Sequence, residues 1–269
     1  MSSQNSKGTA LITGASTGIG AVYADRLAKR GYDLVLVARN QDKLNEVAQQ
    51  IQASSGRKVE TLQADLTAPE DVKRVADRLA TDTSIAALVN NAGVAALGKL
   101  VESDPDFVDQ MIQLNVTALT RLALAAAPAF SARGNGLIIN IGSVVSFLPE
   151  QFNGSYSGTK AYVLNFSTAL KGELEDKGVK VQVVLPGATA TPIWEKAGVP
   201  IHALPAEIVM SAEDMVDASL AGLDQGEFVT IPSLPDSSDF EAFQKARFTL
   251  APNLSRRVPA ARYGVAASK

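Results

Sequence analysis

Three side chains near the middle of the chain have the types and spacing to move a proton to or from an oxygen atom. Tyr156 and Lys160 stand four positions apart at the start of a helical stretch, so both lie on one helical face. An ammonium beside a phenol favours the phenolate and is expected to lower the tyrosine pKa from about 10 toward working pH. Such a phenol can give or take a proton for a carbonyl–alcohol pair. Ser143, thirteen residues before Tyr156, follows an apolar run and Gly142, which puts a hydroxyl at a strand end. A Y-x-x-x-K pair alone also arises by chance on helix surfaces. Asn115 lies inside a predicted helix over Gln110–Arg133, where an asparagine is mildly unfavourable and can perturb the backbone ladder.

These groups need a reacting partner, and the stretch Thr9–Lys29 offers a cradle for one. An apolar run ends at Thr13; Gly14, Gly18 and Gly20 follow, interleaved with Ser16, Thr17 and Ile19, and an amphipathic helical pattern begins. Glycines let a ligand approach the main chain, and the free N–H groups and dipole of a helix start suit a phosphate. The spacing is G-x-x-x-G-x-G rather than the common G-x-G-x-x-G, and a plain tight turn is the alternative. After the second apolar run, Ala38-Arg39-Asn40 lacks the acid that would bind a ribose hydroxyl pair and carries an arginine able to pair with a 2′-phosphate. Arg39 could equally be a solvated loop residue; beside the glycine loop it favours NADP(H) over NAD(H). Asp65 could accept from an adenine amino group or cap the helix opening at Pro69, a role that suits Thr67 better. The turn Asn90-Asn91-Ala92-Gly93 can tie the first loop in place through its amides and wall the adenosine pocket.

The elements that must position these residues read as alternating strands and helices. Apolar, Val/Ile/Leu-rich runs occur at Ala10–Thr13, Asp33–Ala38, Lys58–Gln63, Ile85–Asn90, Leu137–Gly142, Val179–Leu185 and Glu227–Ile231. Continuous apolar strands separated by helices predict an α/β fold, a doubly wound, mostly parallel Rossmann-type sheet in three layers. Right-handed crossovers then gather the loops at strand C-terminal ends, where ligands bind. A single domain is expected, with a core over about residues 8–232 and a C-terminal extension over 233–269.

Bulk properties narrow the function. Hydrophobic residues make up 46% of the 269, which is enough for a large core. A net charge of −3 offers no attraction to nucleic acid or an acidic membrane. The absence of cysteine excludes disulfides, thiolate catalysis and cysteine metal sites, and no metal site is expected. Met1–Lys7 is short and polar and no long apolar run follows, so a cytoplasmic protein that does not engage a membrane is expected.

Taken together, Thr13-Gly14-Ala15-Ser16-Thr17-Gly18-Ile19-Gly20, Asp65-Leu66, Asn90-Asn91-Ala92-Gly93, Asn115, Ser143, Tyr156 with Lys160, and Pro186-Gly187 with Thr189 and Thr191 occur in an order and spacing that resemble the short-chain dehydrogenase/reductase family over about residues 8–191. The resemblance implies hydride transfer between a nicotinamide and a substrate carbon. Tyr156 would then exchange the proton with the substrate oxygen and Ser143 would hydrogen-bond that oxygen. Lys160 would hold the nicotinamide ribose and depress the Tyr156 pKa, and Asn115 would position a water leading to Lys160. Pro186, Gly187, Thr189 and Thr191 would border the nicotinamide. Arg39 without an acid at Ala38 resembles the NADP-preferring branch, which implies an NADP(H)-dependent oxidoreductase for a small to medium apolar carbonyl compound or alcohol.

The chain departs from the family pattern in two places. Gly158 stands where a small alanine is frequent between the tyrosine and lysine, and Phe228-Val229-Thr230-Ile231-Pro232 leads into Ser233-Leu234-Pro235-Asp236 rather than a Val-Asp-Gly-Gly-like turn. The second puts the family's frequent tetramer in doubt. A homo-oligomer is expected, dimer or tetramer; for a dimer through Gln110–Arg133 and Tyr156–Lys177, Ala118, Ala125 and Ala126 would allow close packing, the alternative being that those alanines are buried within the chain. Pro192–Ser211 reads as a lid selecting the substrate through Ile193, Trp194, Val199, Ile201 and Leu204, or as a surface loop with buried anchors. His202 within it is a wall or surface residue rather than a base. Two rival functions are a nucleotide sensor that keeps the fold without turnover, and a sugar epimerase or dehydratase, whose longer substrate domain is missing here.

Overall fold

The computed structural model describes residues 6–265, so most of the polar stretch Met1–Lys7 lies outside the described residues. In chain order the main elements begin with β1 (Thr9–Thr13), α1 (Gly18–Lys29), β2 (Asp33–Ala38), α2 (Gln41–Ser55), β3 (Val59–Gln63), α3 (Pro69–Thr81) and β4 (Ile85–Asn90). They continue with α4 (Pro105–Ile112), α5 (Leu119–Arg133), β5 (Gly136–Ile141), α6 (Gly154–Leu174), β6 (Val179–Val184), α7 (Ile193–Lys196), α8 (Ala212–Asp224), β7 (Val229–Thr230) and α9 (Ser238–Leu250). The strands form one seven-stranded sheet in the order β3-β2-β1-β4-β5-β6-β7, with every pairing parallel.

The apolar strand runs follow from burial on both faces. Ala10, Ile12, Leu34 and Leu36 pack on one side with Tyr23, Leu27, Leu44 and Met215 from α1, α2 and α8. Leu11, Val35 and Val37 pack on the other with Val75, Leu79, Leu122 and Leu170 from α3, α5 and α6. Successive side chains point to opposite faces, so a strand buried on both sides has no polar alternation to show. This is the three-layer Rossmann-type arrangement that the sequence predicts. The strand order reverses between β1 and β4, and the loops leaving Thr13, Asn90, Ile141 and Val184 meet at that edge.

Several local expectations change. The predicted helix over Gln110–Arg133 begins earlier, at Pro105, and Gln113–Ala118 is a π-helical stretch between α4 and α5. The cap of α3 is neither Asp65 nor Thr67 but Ala68, with Glu70 and Asp71 supplying negative charge in the first turn. Asp65 instead accepts from the backbone N–H and hydroxyl of Thr67, at 2.9 and 2.8 Å. Ala118 and Ala126 are buried within the chain and Ala125 packs beside them, so their small size serves the contact of α5 with its own core.

Contacts group the chain into two compact units, one running to Ser233 and one from Leu234 onward. The first contains the whole sheet. The second contains α9, on which no residue is buried.

Candidate active site

The glycine loop is built by close approach. Gly14 and Gly18 have φ of +67° and +55°, which side-chain-bearing residues rarely adopt. A Cβ on Gly14 would stand 2.8 Å from Asn91 Nδ2 and 2.9 Å from Ala92 Cα, and one on Gly20 would run into the Gly14 carbonyl. Thr13 and Asn91 lock the two loops together. Asn91 Nδ2 donates to the Thr13 carbonyl at 2.9 Å and to the Gly14 carbonyl at 3.3 Å, and the backbone N–H groups of Asn91 and Ala92 both donate to Thr13 Oγ1 at 3.0 Å. The asparagine turn ties the first loop in place as expected, and Thr13, passed over as a site residue, is its anchor. A threonine at the last position of the strand is the signal that would have found it.

Helix α1 starts here with chemistry suited to an anion. Its N-cap Thr17 makes no side-chain capping bond and its first turn carries no acidic residue, whereas Asn40, Asp104 and Ser211 cap α2, α4 and α8. Unspent N–H groups at the positive end of the dipole favour a phosphate. The segment after β6 closes against this loop, since a Cβ on Gly18 would meet Thr191 Cγ2 at 3.1 Å. Thr191 and Thr189 are held in turn by hydroxyl donation to the Thr189 and Gly187 carbonyls, at 3.4 and 3.2 Å.

Farther along the edge, Arg39 stays exposed with Nη1 4.0 Å from Asp65 Oδ2. Gln63 Nε2 donates to the Arg39 carbonyl at 2.9 Å and holds the backbone there. Leu66 is buried in the core beside Val72, so only its main chain could face a ligand. Ser16, Thr17 and Ile19 lie on the part-buried rim of the loop.

Tyr156, Lys160, Ser143 and Asn115 converge at the ends of β4 and β5 and the start of α6. Lys160 Nζ donates to the Ile141 carbonyl at 3.1 Å and stands 5.9 Å from the centre of the Tyr156 ring. Ser143 Oγ donates to the Pro186 carbonyl at 3.3 Å. Asn115, on the π-helical stretch, accepts from Val94 N at 3.0 Å and donates to the Val94 carbonyl and Thr159 Oγ1 at 2.9 and 3.2 Å. Gly93 lets this strand end pass close by, because a Cβ there would lie 3.1 Å from Asn115 Oδ1 and 3.7 Å from Lys160 Nζ. All four residues therefore meet in one place. Thr159, unmarked by its sequence context, ties Asn115 to α6.

Electrostatics here correct the expectation that Lys160 makes Tyr156 acidic. Burial pushes the Tyr156 phenol up to about 12, against an opposing hydrogen bond with Ser143. Burial also brings the Lys160 ammonium down to about 8. Desolvation penalises whichever form is charged, and it is the leading cause of both shifts. Tyr156 is thus a neutral phenol at neutral pH, beside a lysine whose charge burial disfavours.

The Pro192–Ser211 excursion is closed at its base by Ala190 N donating to the Met210 carbonyl at 2.8 Å and Met210 N to the Ala188 carbonyl at 2.9 Å. Trp194 Nε1 donates to the Thr189 carbonyl at 2.8 Å, and Ile193, Val199, Ile201 and Leu204 are half-buried. His202 is exposed. Among the described residues no helix is long and apolar enough to cross a membrane.

Comparison with known proteins agrees with this geometry. The chain is similar to a short-chain dehydrogenase from Sphingobium yanoikuyae in complex with NADPH, at 48% identity and a TM-score of 0.91 over 94% of this chain and 98% of that one. It is also similar to the bulky-bulky ketone specific alcohol dehydrogenase from Comamonas testosteroni, at 42% identity and a TM-score of 0.89 over 96% and 99% of the two chains. The human 17-beta-hydroxysteroid dehydrogenase type 3 is 37% identical over 186 residues, 68% of this chain. That match spans 59% of the human protein's own length. The short chain dehydrogenase model matches residues 8–199, and with the parallel sheet, glycine loop and tyrosine–lysine pair on one edge, the chain belongs to the short chain dehydrogenase family of oxidoreductases.

Proposed function

We propose that this oxidoreductase reduces an apolar carbonyl compound to the alcohol, with NADPH preferred over NADH and Tyr156 as the acid. The carrying observation is the neutral, buried-side phenol of Tyr156 set beside Ser143 and Lys160 at the sheet edge. The glycine loop fits a dinucleotide: Gly14, Gly18 and Gly20 let Asn91, Ala92 and Thr191 close up around a bare main chain, and the α1 start, with no side-chain cap and no acid in its first turn, offers N–H groups for phosphate. Arg39 would take a 2′-phosphate, and Asp65, Leu66, Asn91, Ala92 and Gly93 would border the adenosine. Pro186, Gly187, Thr189 and Thr191 would border the nicotinamide ring. When bound, the dinucleotide supplies the hydride.

The chain's own residues handle the oxygen. Ser143 and Tyr156 hydrogen-bond the carbonyl, and Tyr156 gives up its proton as negative charge develops there. Lys160 in its protonated form stabilises the phenolate left behind, and Asn115 holds the end of β4 and α6 at the separation this requires. The NADPH complex of the Sphingobium relative and the ketone named for the Comamonas relative support the cofactor and substrate class. Half-buried Ile193, Trp194, Val199, Ile201 and Leu204 support an apolar substrate. The same reading makes the protein one Rossmann-type domain with an extension from Leu234, assembled as a homodimer through α5 and α6.

Steady-state assays by NADPH absorbance test it. Wild type should consume NADPH with an aryl ketone, and about tenfold more efficiently than NADH if Arg39 pairs with the extra phosphate. Tyr156→Phe should lose about 10²–10⁴ in kcat while still binding NADPH by fluorescence titration. Turnover that survives in Tyr156→Phe would sink the mechanism, and binding without any wild-type turnover would favour a sensor.

A further inference from the structure

The side chain of Asn153 is buried, at 4% exposure, and every polar position on its amide is used. It is the N-cap of α6, where Oδ1 accepts from Ser155 N at 3.0 Å and from Tyr156 N at 3.2 Å. Its Nδ2 points the other way and donates to the Gly98 carbonyl at 2.9 Å and to Ser103 Oγ at 3.0 Å. The Ser103 hydroxyl itself donates to the Lys99 carbonyl at 3.2 Å, which leaves a lone pair for Asn153. One amide thus joins the backbone of the proton donor to the segment that follows β4.

That segment carries exposed apolar side chains, one of them against the start of α6. Leu100 and Val101 are 50% and 91% exposed, on a short 3₁₀ turn over Leu100–Glu102. Leu100 lies against the start of α6, because a Cβ on Gly154 would come within 3.3 Å of Leu100 Cδ2. We infer that Asn153 is a positioning residue for carbonyl reduction that influences substrate size, by holding the segment that carries Leu100 against the turn of α6 from which Tyr156 projects. This rests on the proposed reductase reading. An ordinary N-cap needs only an acceptor, and serine or aspartate would serve; the two donor bonds across to Gly98 and Ser103 are what capping does not require. The amide is the side chain of this size that supplies both.

The test separates the two halves of the amide. Asn153→Ser keeps a capping acceptor and loses both cross-links, while Ser103→Ala removes one cross-link without touching α6. Each variant and wild type is assayed with NADPH against acetophenone and against 1-phenyl-1-pentanone, which differ only in the length of one alkyl arm. Melting temperature and NADPH affinity are measured alongside. Asn153→Ser should change the ratio of kcat/KM for the two ketones by about threefold or more, with Ser103→Ala moving it the same way and NADPH affinity unchanged. A mere cap would alter melting temperature and leave the ratio alone. If Asn153→Ser unfolds, Ser103→Ala decides. A ratio that holds within about threefold in the folded variants overturns the inference and leaves the reductase reading intact. Wild type inactive on both ketones overturns that reading and the inference with it.

Discussion

Tyr156 and Lys160 share one helical face, yet burial drives them in opposite directions, the phenol up to about 12 and the ammonium down to about 8. The spacing of four residues was legible from the order of letters; the depth at which the pair sits was not, and depth decides the sign of the Tyr156 shift. For Lys160 the folded pKa of about 8 lies below its ordinary 10.5, so the unfolded chain binds the proton more tightly. Folding the charged form therefore carries its full penalty below pH 8, and stability from this group returns as pH rises from 8 toward 10.5. The difference corresponds to roughly 3 kcal/mol. Lys160→Met should accordingly be more stable than wild type at pH 7, and its advantage should shrink by pH 10. Urea unfolding of both proteins at the two pH values measures this, and an advantage that does not change with pH would show that Lys160 is not the buried base described. Arg39 illustrates the opposite case, since its exposure and its 4.0 Å approach to Asp65 leave it free to meet another anion.

At the scale of elements, Asn115 shows what a mid-helix asparagine can mean. An α-helical turn would have continued past it; the π-helical Gln113–Ala118 stretch inserts an irregular turn from which its amide spans Val94 and Thr159. Sequence signalled a disturbance of the ladder there but not its form, because both of the amide's partners are distant in the chain. Helix α6 makes a second point. Gly158 has no atom within 4 Å of where a Cβ would stand, and it is exposed on a helix of 21 residues. Nothing in the packing requires a glycine, so only its helix propensity is felt. Gly158→Ala should stabilise the protein by about 1 kcal/mol, raising the melting temperature by about 2–4 °C with kcat/KM unaltered. Calorimetry checks the first part and the ketone assay the second; a destabilised variant would mean that the loop ahead of α6 needs room at this site.

For the whole molecule, the open question of assembly turns on which faces of α5 and α6 the chain leaves uncovered. The alanines that the sequence offered for close packing between subunits are largely spent inside, Ala118 and Ala126 being buried in the core. What α5 presents outward is Leu124, 55% exposed, one turn from Thr120, whose hydroxyl lies 2.9 Å from Tyr162 OH on α6. Tyr162 stacks on Phe166 with ring centres 5.8 Å apart, so an apolar strip runs across both helices. The proposed homodimer would bury this strip, and a charge within it would be desolvated without a partner. Leu124→Asp should shift the protein to monomer in sedimentation velocity with its melting curve still cooperative. A wild type that sediments as a monomer would refute the interface.

The order of strands and helices, the glycine loop, the Asn90–Gly93 turn and the tyrosine–lysine pair were determined by local sequence alone. Each is a statement about neighbours within a few residues, such as periodicity, backbone freedom at glycine or one turn of helix. Tertiary structure alone decided the rest. Asn115, Gly93 and the neighbouring pair Thr159-Lys160 come together from three places in the chain only because the strand order reverses between β1 and β4. The same is true of Asn153, whose reach to Gly98 and Ser103 depends on two segments about fifty residues apart being folded against each other. Burial is a sum over the entire fold, which is why the direction of the Tyr156 shift had to wait for it.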